Sequence, residues 1–448
     1  MASVVSMTEG PIGRRIVAFS IPLICSNLLQ VLFNLSDLAV VGRFAGPAAL
    51  GAVGSSTMIV ILYTMFIIGL ASGVNALTAR FLGASRQTDV CETIHTGFIL
   101  MTVLGIVLTI LGITLSGPIL RLLGTRPDLY DRALIYLRIY FMGMPGMALY
   151  NLGHAVFSAT GNTKKPLFYL STAGVVNVLL NLFFVIACQL DVVGVALASA
   201  IAQYVSATLI ILALLKEKGT CGLRISELHL QKTKAISLLK LGLPAGFQNA
   251  VFMVANLFVV SAVNSFSTII VEGNAAASNA DNLIYEVMAA FYVAGASFIS
   301  QNYGAGKRDR ILKSYFWSVG LSVAVSAGLC VIVGLFGRQF LGLFTTDPAV
   351  IDAGLLKLNI MIFSYPVSGI MDGSIAASRG LGRTIVPTII VIIGSCIFRI
   401  IWIFTIFAHF HTIGSLYLLY IFSWSITGIA EVIYFFYIYR QTRPSVTC

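Results

Sequence analysis

Twelve apolar stretches of about 20 residues follow one another along the 448-residue chain, near 16–41, 49–73, 93–115, 133–157, 167–187, 192–215, 236–262, 275–300, 312–336, 353–376, 385–408 and 413–437. Each is long enough to cross a hydrocarbon core of roughly 30 Å as a helix. In lipid a backbone must satisfy its own N–H and C=O groups, so stretches of this length read as helices. The connections between them have no room for a soluble domain. Only 10% of the residues are charged and 58% are hydrophobic, where soluble domains carry roughly 25% charged residues. The sequence therefore predicts an all-α integral membrane protein with twelve transmembrane helices.

A net charge of +11 would suit a nucleic-acid partner, but the positions of the basic residues argue otherwise. With the N-terminus in the cytosol, 20 of the 28 Lys and Arg residues fall on the cytosolic side, among them Arg14, Arg15, Lys218, Lys234, Lys307, Arg308, Arg310, Arg379, Arg440 and Arg443. Five (Arg43, Arg121, Arg126, Arg132 and Arg338) fall opposite, while Arg138, Lys357 and Arg399 lie within spans. Cytoplasmic loops retain Lys and Arg, so both termini are expected inside. The connection 263–274, which has neither, is expected outside. Gly13-Arg14-Arg15 reads as the charged flank of an uncleaved first helix. The seven cysteines (25, 91, 188, 221, 330, 396 and 448) form no C-x-x-C pair, and the five histidines form no ligand cluster. Neither a disulfide framework nor a metal or cofactor site is indicated.

The most polar long connection, Lys216 to Lys234, divides the spans six and six. It separates an N-terminal lobe, 1–215, from a C-terminal lobe, 236–448, with 216–235 as a cytosolic loop. A shift of 221 places Gly83 on Gly304, Pro127 on Pro348, Pro145 on Pro366, Gly161 on Gly382 and Pro166 on Pro387; at 222, Pro22 and Asn27 meet Pro244 and Asn249. With an even number of spans in each half, the repeats are parallel, related by an axis along the membrane normal. Pro145 and Pro366 fall inside the fourth and tenth spans, where a missing N–H and a ring clash bend a helix. Either a packed kink or a hinge accounts for them.

Active transport needs an energy source. The nearest match to a phosphate-binding loop, at Gly306-Lys307, fails because position 301 is Gln and 308 is Arg. An ion-driven carrier remains, unless the protein is a passive flippase or an accessory subunit, and the chain is not expected to be an enzyme. Gln301-Asn-Tyr-Gly-Ala-Gly-Lys-Arg-Asp-Arg310, echoed by Ala79-Arg-Phe-Leu-Gly-Ala-Ser85, resembles the multidrug and toxic compound extrusion (MATE) family. So does Ser378-Arg-Gly-Leu-Gly-Arg-Thr384 with Pro387, echoed by Ala159-Thr-Gly-Asn-Thr163 with Pro166. The resemblance implies a 6 + 6 exporter of lipophilic, often cationic compounds, driven by H⁺ or Na⁺. A monomer in a bacterial plasma membrane is expected. Two rivals are a flippase for lipid-linked sugar phosphates, whose cavity would need many more basic residues, and a non-transporting membrane sensor or scaffold.

Asp37 stands inside the first span, where a carboxylate costs roughly 2.5–3.5 kcal/mol on insertion scales and usually faces a cavity or a partner. It is either a structural hydrogen-bonding group or a cation site, and the resemblance places the family's coupling aspartate here. Asn177 and Asn181 are four apart and share a helix face, which suits interhelical hydrogen bonding as well as ion ligation. The resemblance joins that face to a hydroxyl on the sixth helix, here Ser199. Many members have a second aspartate where this chain has Asn181, so a single carboxylate is expected; amide and hydroxyl oxygens suit Na⁺ and a lone aspartate suits a proton. The second half has Phe258 or Val259 at the position of Asp37, so the site is not duplicated. Asp372 is the foremost candidate for a substrate-facing acid, ahead of Asp281 and Glu286 on the eighth span and of Glu431, near a cytosolic end. Arg399 is expected to pair with one of these acids, and Lys357 to snorkel to the interface.

Overall fold

The computed structural model describes residues 6–217, 219 and 221–442; Lys218, Arg443 and Cys448 lie outside them. The chain runs through helices α1 (Ile12–Val40), α2 (Pro47–Gly83), α3 (Gln87–Leu122), α4 (Pro127–Phe141), α5 (Met144–Ala159), α6 (Lys164–Leu182), α7 (Asp191–Lys216) and α8 (Lys232–Val263). It continues through α9 (Thr268–Gly304), α10 (Arg308–Leu341), α11 (Pro348–Met361), α12 (Ser364–Gly380), α13 (Ile385–Val391), α14 (Phe398–Trp402), α15 (Ala408–Phe410) and α16 (Ile413–Gln441). No strand occurs among the described residues. Among the described residues ten helices are long and apolar enough to span a bilayer, or twelve if the pairs α4–α5 and α11–α12, bent by 46° and 48°, each count as one span. The bends fall where the fourth and tenth spans carry proline. Pro145 enters the first turn of α5, where its missing N–H would have had no intrahelical partner. The second half differs from expectation at one loop: α9 begins at Thr268, so 268–274 is helical and the connection shrinks to 264–267.

Contacts divide the chain into two units, one containing Cys25–Gly246 and the other Met7–Ile24 together with the chain from Phe247 onward. Both α1 and α8 are therefore shared, each contributing its halves to different units. In the first unit α2 lies against the leading half of α8 so closely that a Cβ on Gly73 would stand 2.9 Å from the Gly242 nitrogen. Small residues permit this approach where lipid supplies no hydrophobic drive between helices. The linker before α8 is tied down by Arg224 N donating to His95 Nε2 (3.2 Å) and by Gln231 N donating to Thr96 Oγ1 (3.1 Å), and the first turn of α8 by a Lys234–Asp89 ion pair. In the second unit the segment before α1 is held by the Gln301–Arg310 motif. Met7 N donates to Gln301 Oε1 (3.1 Å), and the Arg310 guanidinium donates to the carbonyls of Met7, Glu9 and Gly10.

Candidate functional site

Asp37 is reached from three helices. α1 carries the aspartate, α6 carries Asn177 and Asn181 on one face, and α7 carries Ser199. Asn181 Nδ2 donates to Asp37 Oδ1, and Ser199 Oγ donates to Asp37 Oδ2 at 3.3 Å. Asn181 Nδ2 also donates to Asn177 Oδ1 (3.2 Å), and Asn177 Nδ2 to Ser199 Oγ (3.4 Å). The four side chains close a ring of hydrogen bonds. Asn177, Asn181 and Ser199 are buried and Asp37 is half-buried. One acceptor is left over: Asn181 Oδ1 is buried without a hydrogen-bond partner. An amide oxygen in that state, beside a carboxylate met only by neutral donors, fits a small hard cation, and the carboxylate by itself fits a proton. Tyr136 and Tyr140 of α4 lie within electrostatic reach of Asp37. Directly beyond the ligand-bearing turns both α1 and α6 change to π-helix, at Val41–Ala45 and Phe183–Ala187, a local geometry frequent at functional sites.

The acids of the second unit are not brought together as one cluster. Asp281 accepts from Tyr365 Oη and pairs with Lys357 Nζ at 2.7 Å. Lys357 also donates to Ser278 Oγ (2.7 Å), and its side chain is only 5% exposed. Lys357 thus does not snorkel: a carboxylate and a hydroxyl hold its ammonium inside the unit. Asp372 accepts from Ser368 Oγ at 3.3 Å, one turn away on α12. Tyr285 is within electrostatic reach of Asp372 and of Glu286, which is half-buried on α9.

Arg399 departs from expectation. No carboxylate lies within ion-pair distance of it among the described residues. Its guanidinium is fully buried, donating to Asn256 Oδ1 (2.6 Å) and Ser423 Oγ (3.3 Å), with Phe252, Tyr420 and Trp424 around it at 4.6, 4.7 and 5.6 Å. Aromatic faces attract a desolvated cation electrostatically and take the place of a counter-ion. Sequence reasoning missed Arg379, counted with the cytosolic flank. It is buried, donating to Tyr292 Oη and to Gln248 Oε1 (2.9 Å). Its neighbours come from distant helices, so only the recurrence of Arg in the Ser378–Thr384 motif pointed to it.

A family model described as MatE matches the chain twice, over residues 22–183 and 244–405. Among curated proteins, the probable multidrug resistance protein YpnP of Bacillus subtilis (strain 168) is 28% identical over 86% of this chain and 86% of the relative. The FAD transporter of Shewanella oneidensis is 21% identical over 82% of this chain and 81% of the relative. Among solved structures, an outward-facing multidrug resistance MATE family transporter of the MOP superfamily superposes with a TM-score of 0.90 at 19% identity, covering 99% of both chains. A MOP superfamily transporter from Pyrococcus furiosus does so with a TM-score of 0.91, also at 19% identity and 99% coverage of both.

Proposed function

Because this chain belongs to the MatE family, a family of multi-pass membrane transporters whose relatives include multidrug resistance proteins, we propose that it exports lipophilic cations in exchange for an inward-moving H⁺ or Na⁺. In this reading it acts as a monomer in the plasma membrane with both termini cytosolic, and its two six-span halves alternate access. The observation that carries the coupling is the hydrogen-bonded ring of Asp37, Asn177, Asn181 and Ser199 with Asn181 Oδ1 left unpartnered. A membrane potential supplies about 2.3 kcal/mol per charge per 100 mV. That energy is captured only if a group within the membrane alternates between loaded and empty states. Asp37 loads from outside, where it exchanges its neutral donors for the cation, and empties inside. Asp372, held by one hydroxyl, retains acceptor capacity for a cationic substrate.

The test is efflux of a fluorescent lipophilic cation from proteoliposomes under an imposed H⁺ or Na⁺ gradient. Efflux that ignores both gradients would sink the reading. A second reading, export of an aromatic anion, is favoured by Arg399, a buried cation with no carboxylate partner among the described residues, and by the relative named an FAD transporter. Competition of the fluorescent cation by FAD in the same assay separates the two.

A further inference from the structure

Glu431 is a carboxylate that the proposed cycle does not use. It lies on α16 with none of its surface exposed, and neither Oε1 nor Oε2 has a hydrogen-bond partner. A buried ionised carboxylate needs donors or a counter-ion, and among the described residues nothing within ion-pair distance supplies one. Facing it are Asp372 and Arg379 of α12, Tyr292 of α9 and Tyr434 of α16 itself, all within electrostatic reach. Other ionisable groups on segments packed against α16 are Asp352 and Lys357 of α11, paired with Arg338 and Asp281, Tyr365 of α12, which donates to Asp281, Cys396, and Arg399 of α14, held by Asn256 and Ser423. Arg379 is the group able to respond. Its Nη atoms donate to neutral acceptors, Tyr292 Oη and Gln248 Oε1, and its buried Nε has no partner.

We infer that Glu431 is a second proton-binding site, in the unit that lacks Asp37, and that its proton controls which partner Arg379 holds. The inference rests on the reading of the chain as an ion-coupled exporter. With the proton on, the neutral acid tolerates its unpartnered site and Arg379 holds Tyr292 and Gln248. With the proton off, the carboxylate draws the guanidinium into an ion pair, and Gln248 of α8 keeps only its bond from Thr388 Oγ1 (3.4 Å). Loss of the proton is thereby passed to α8 through Gln248, and Arg379 is also within electrostatic reach of the candidate substrate acid Asp372. A transport cycle completes only when both sites load and empty, so one proton passes through this unit for each cation carried by Asp37.

Infrared difference spectroscopy during a pH titration of the purified full-length protein tests this, the proton being its own probe. At neutral pH the wild type should show the C=O band of a protonated carboxylic acid, lost on alkalinisation and missing in Glu431→Gln, with one fewer proton bound per chain. The band should persist in Asp37→Asn. If Glu431→Gln does not fold, Glu431→Asp, which keeps the acid but retracts it by one methylene, should move the band. Carboxyl bands identical in the wild type and either Glu431 variant overturn the inference. Its failure is distinct from that of the coupling assignment, which falls if Asp37→Asn retains gradient-driven efflux while the Glu431 band stays in place.

Discussion

At the scale of residues, Asp37 and Asp281 are both carboxylates on membrane-spanning helices, and their partners give them opposite uses. Asp281 meets an ammonium and a phenol, so its charge is satisfied by the fold. Asp37 meets only amide and hydroxyl donors, so its charge remains available to a mobile cation. Asp37→Asn keeps the size and much of the hydrogen bonding; it should insert and bind a lipophilic cation while losing gradient-driven efflux almost entirely. Asn181→Ala and Ser199→Ala should instead shift the ion concentration at half-maximal efflux, since each removes one neutral ligand. Reconstituted Asp37→Asn that still concentrates substrate would return the residue to a structural role. For the Lys357–Asp281 pair, Lys357→Ala should destabilise by about 3–5 kcal/mol, because it strands a buried charge. Adding Asp281→Asn should recover much of that loss in thermal unfolding, and a double variant no more stable than the single one would contradict the pairing.

At the scale of elements, two pairs of helix endings share the same local geometry. After α5, Gly161 takes φ +84° and Asn162 N bonds to Phe157 O; after α12, Gly382 takes φ +80° and Arg383 N bonds to Ser378 O. Both endings need a left-handed residue to turn the chain back over the last carbonyls. The α2–α3 and α9–α10 turns match similarly, except that Gly306 (φ +68°) faces Ser85 (φ +56°) at the corresponding position. A side chain in that conformation is strained, and glycine is not. Ser85→Gly should therefore stabilise and Gly306→Ala destabilise, each by roughly 0.5–1 kcal/mol. Opposite shifts in unfolding temperature check this; equal signs would refute it.

At the scale of the whole molecule, the basic residues and the native cysteines offer two independent tests of topology. A reporter fused after Lys234 should appear cytosolic, and one at Ser265, in the short α8–α9 connection, should appear outside. Cys188 is exposed between α6 and α7, on the side opposite the termini in the proposed arrangement. Cys221 is buried in the linker, where loss of solvent and the neighbouring Cys91 and Glu217 push its thiol up to about 12. A membrane-impermeant maleimide applied to intact cells should label Cys188 and leave Cys221 untouched. Labelling of Cys221, or a cytosolic signal at Ser265, would reverse the proposed orientation.

Hydropathy by itself determined the helical membrane class, because a span needs only enough consecutive apolar residues to bridge the bilayer. Proline at positions 145 and 366 determined where two spans bend. Asp37, Asn177 and Asn181 were legible because a polar residue in an apolar run must find a partner, and helical spacing puts the two asparagines on one face. The partners of the second-unit charges were decided only by tertiary structure. Whether Lys357 reaches water or Asp281, whether Arg399 meets a carboxylate or three aromatic rings, and whether Glu431 meets any donor depends on which helix faces pack together. Residues more than 70 positions apart share those sites, and the periodicity of a single helix carries no record of the neighbour it meets.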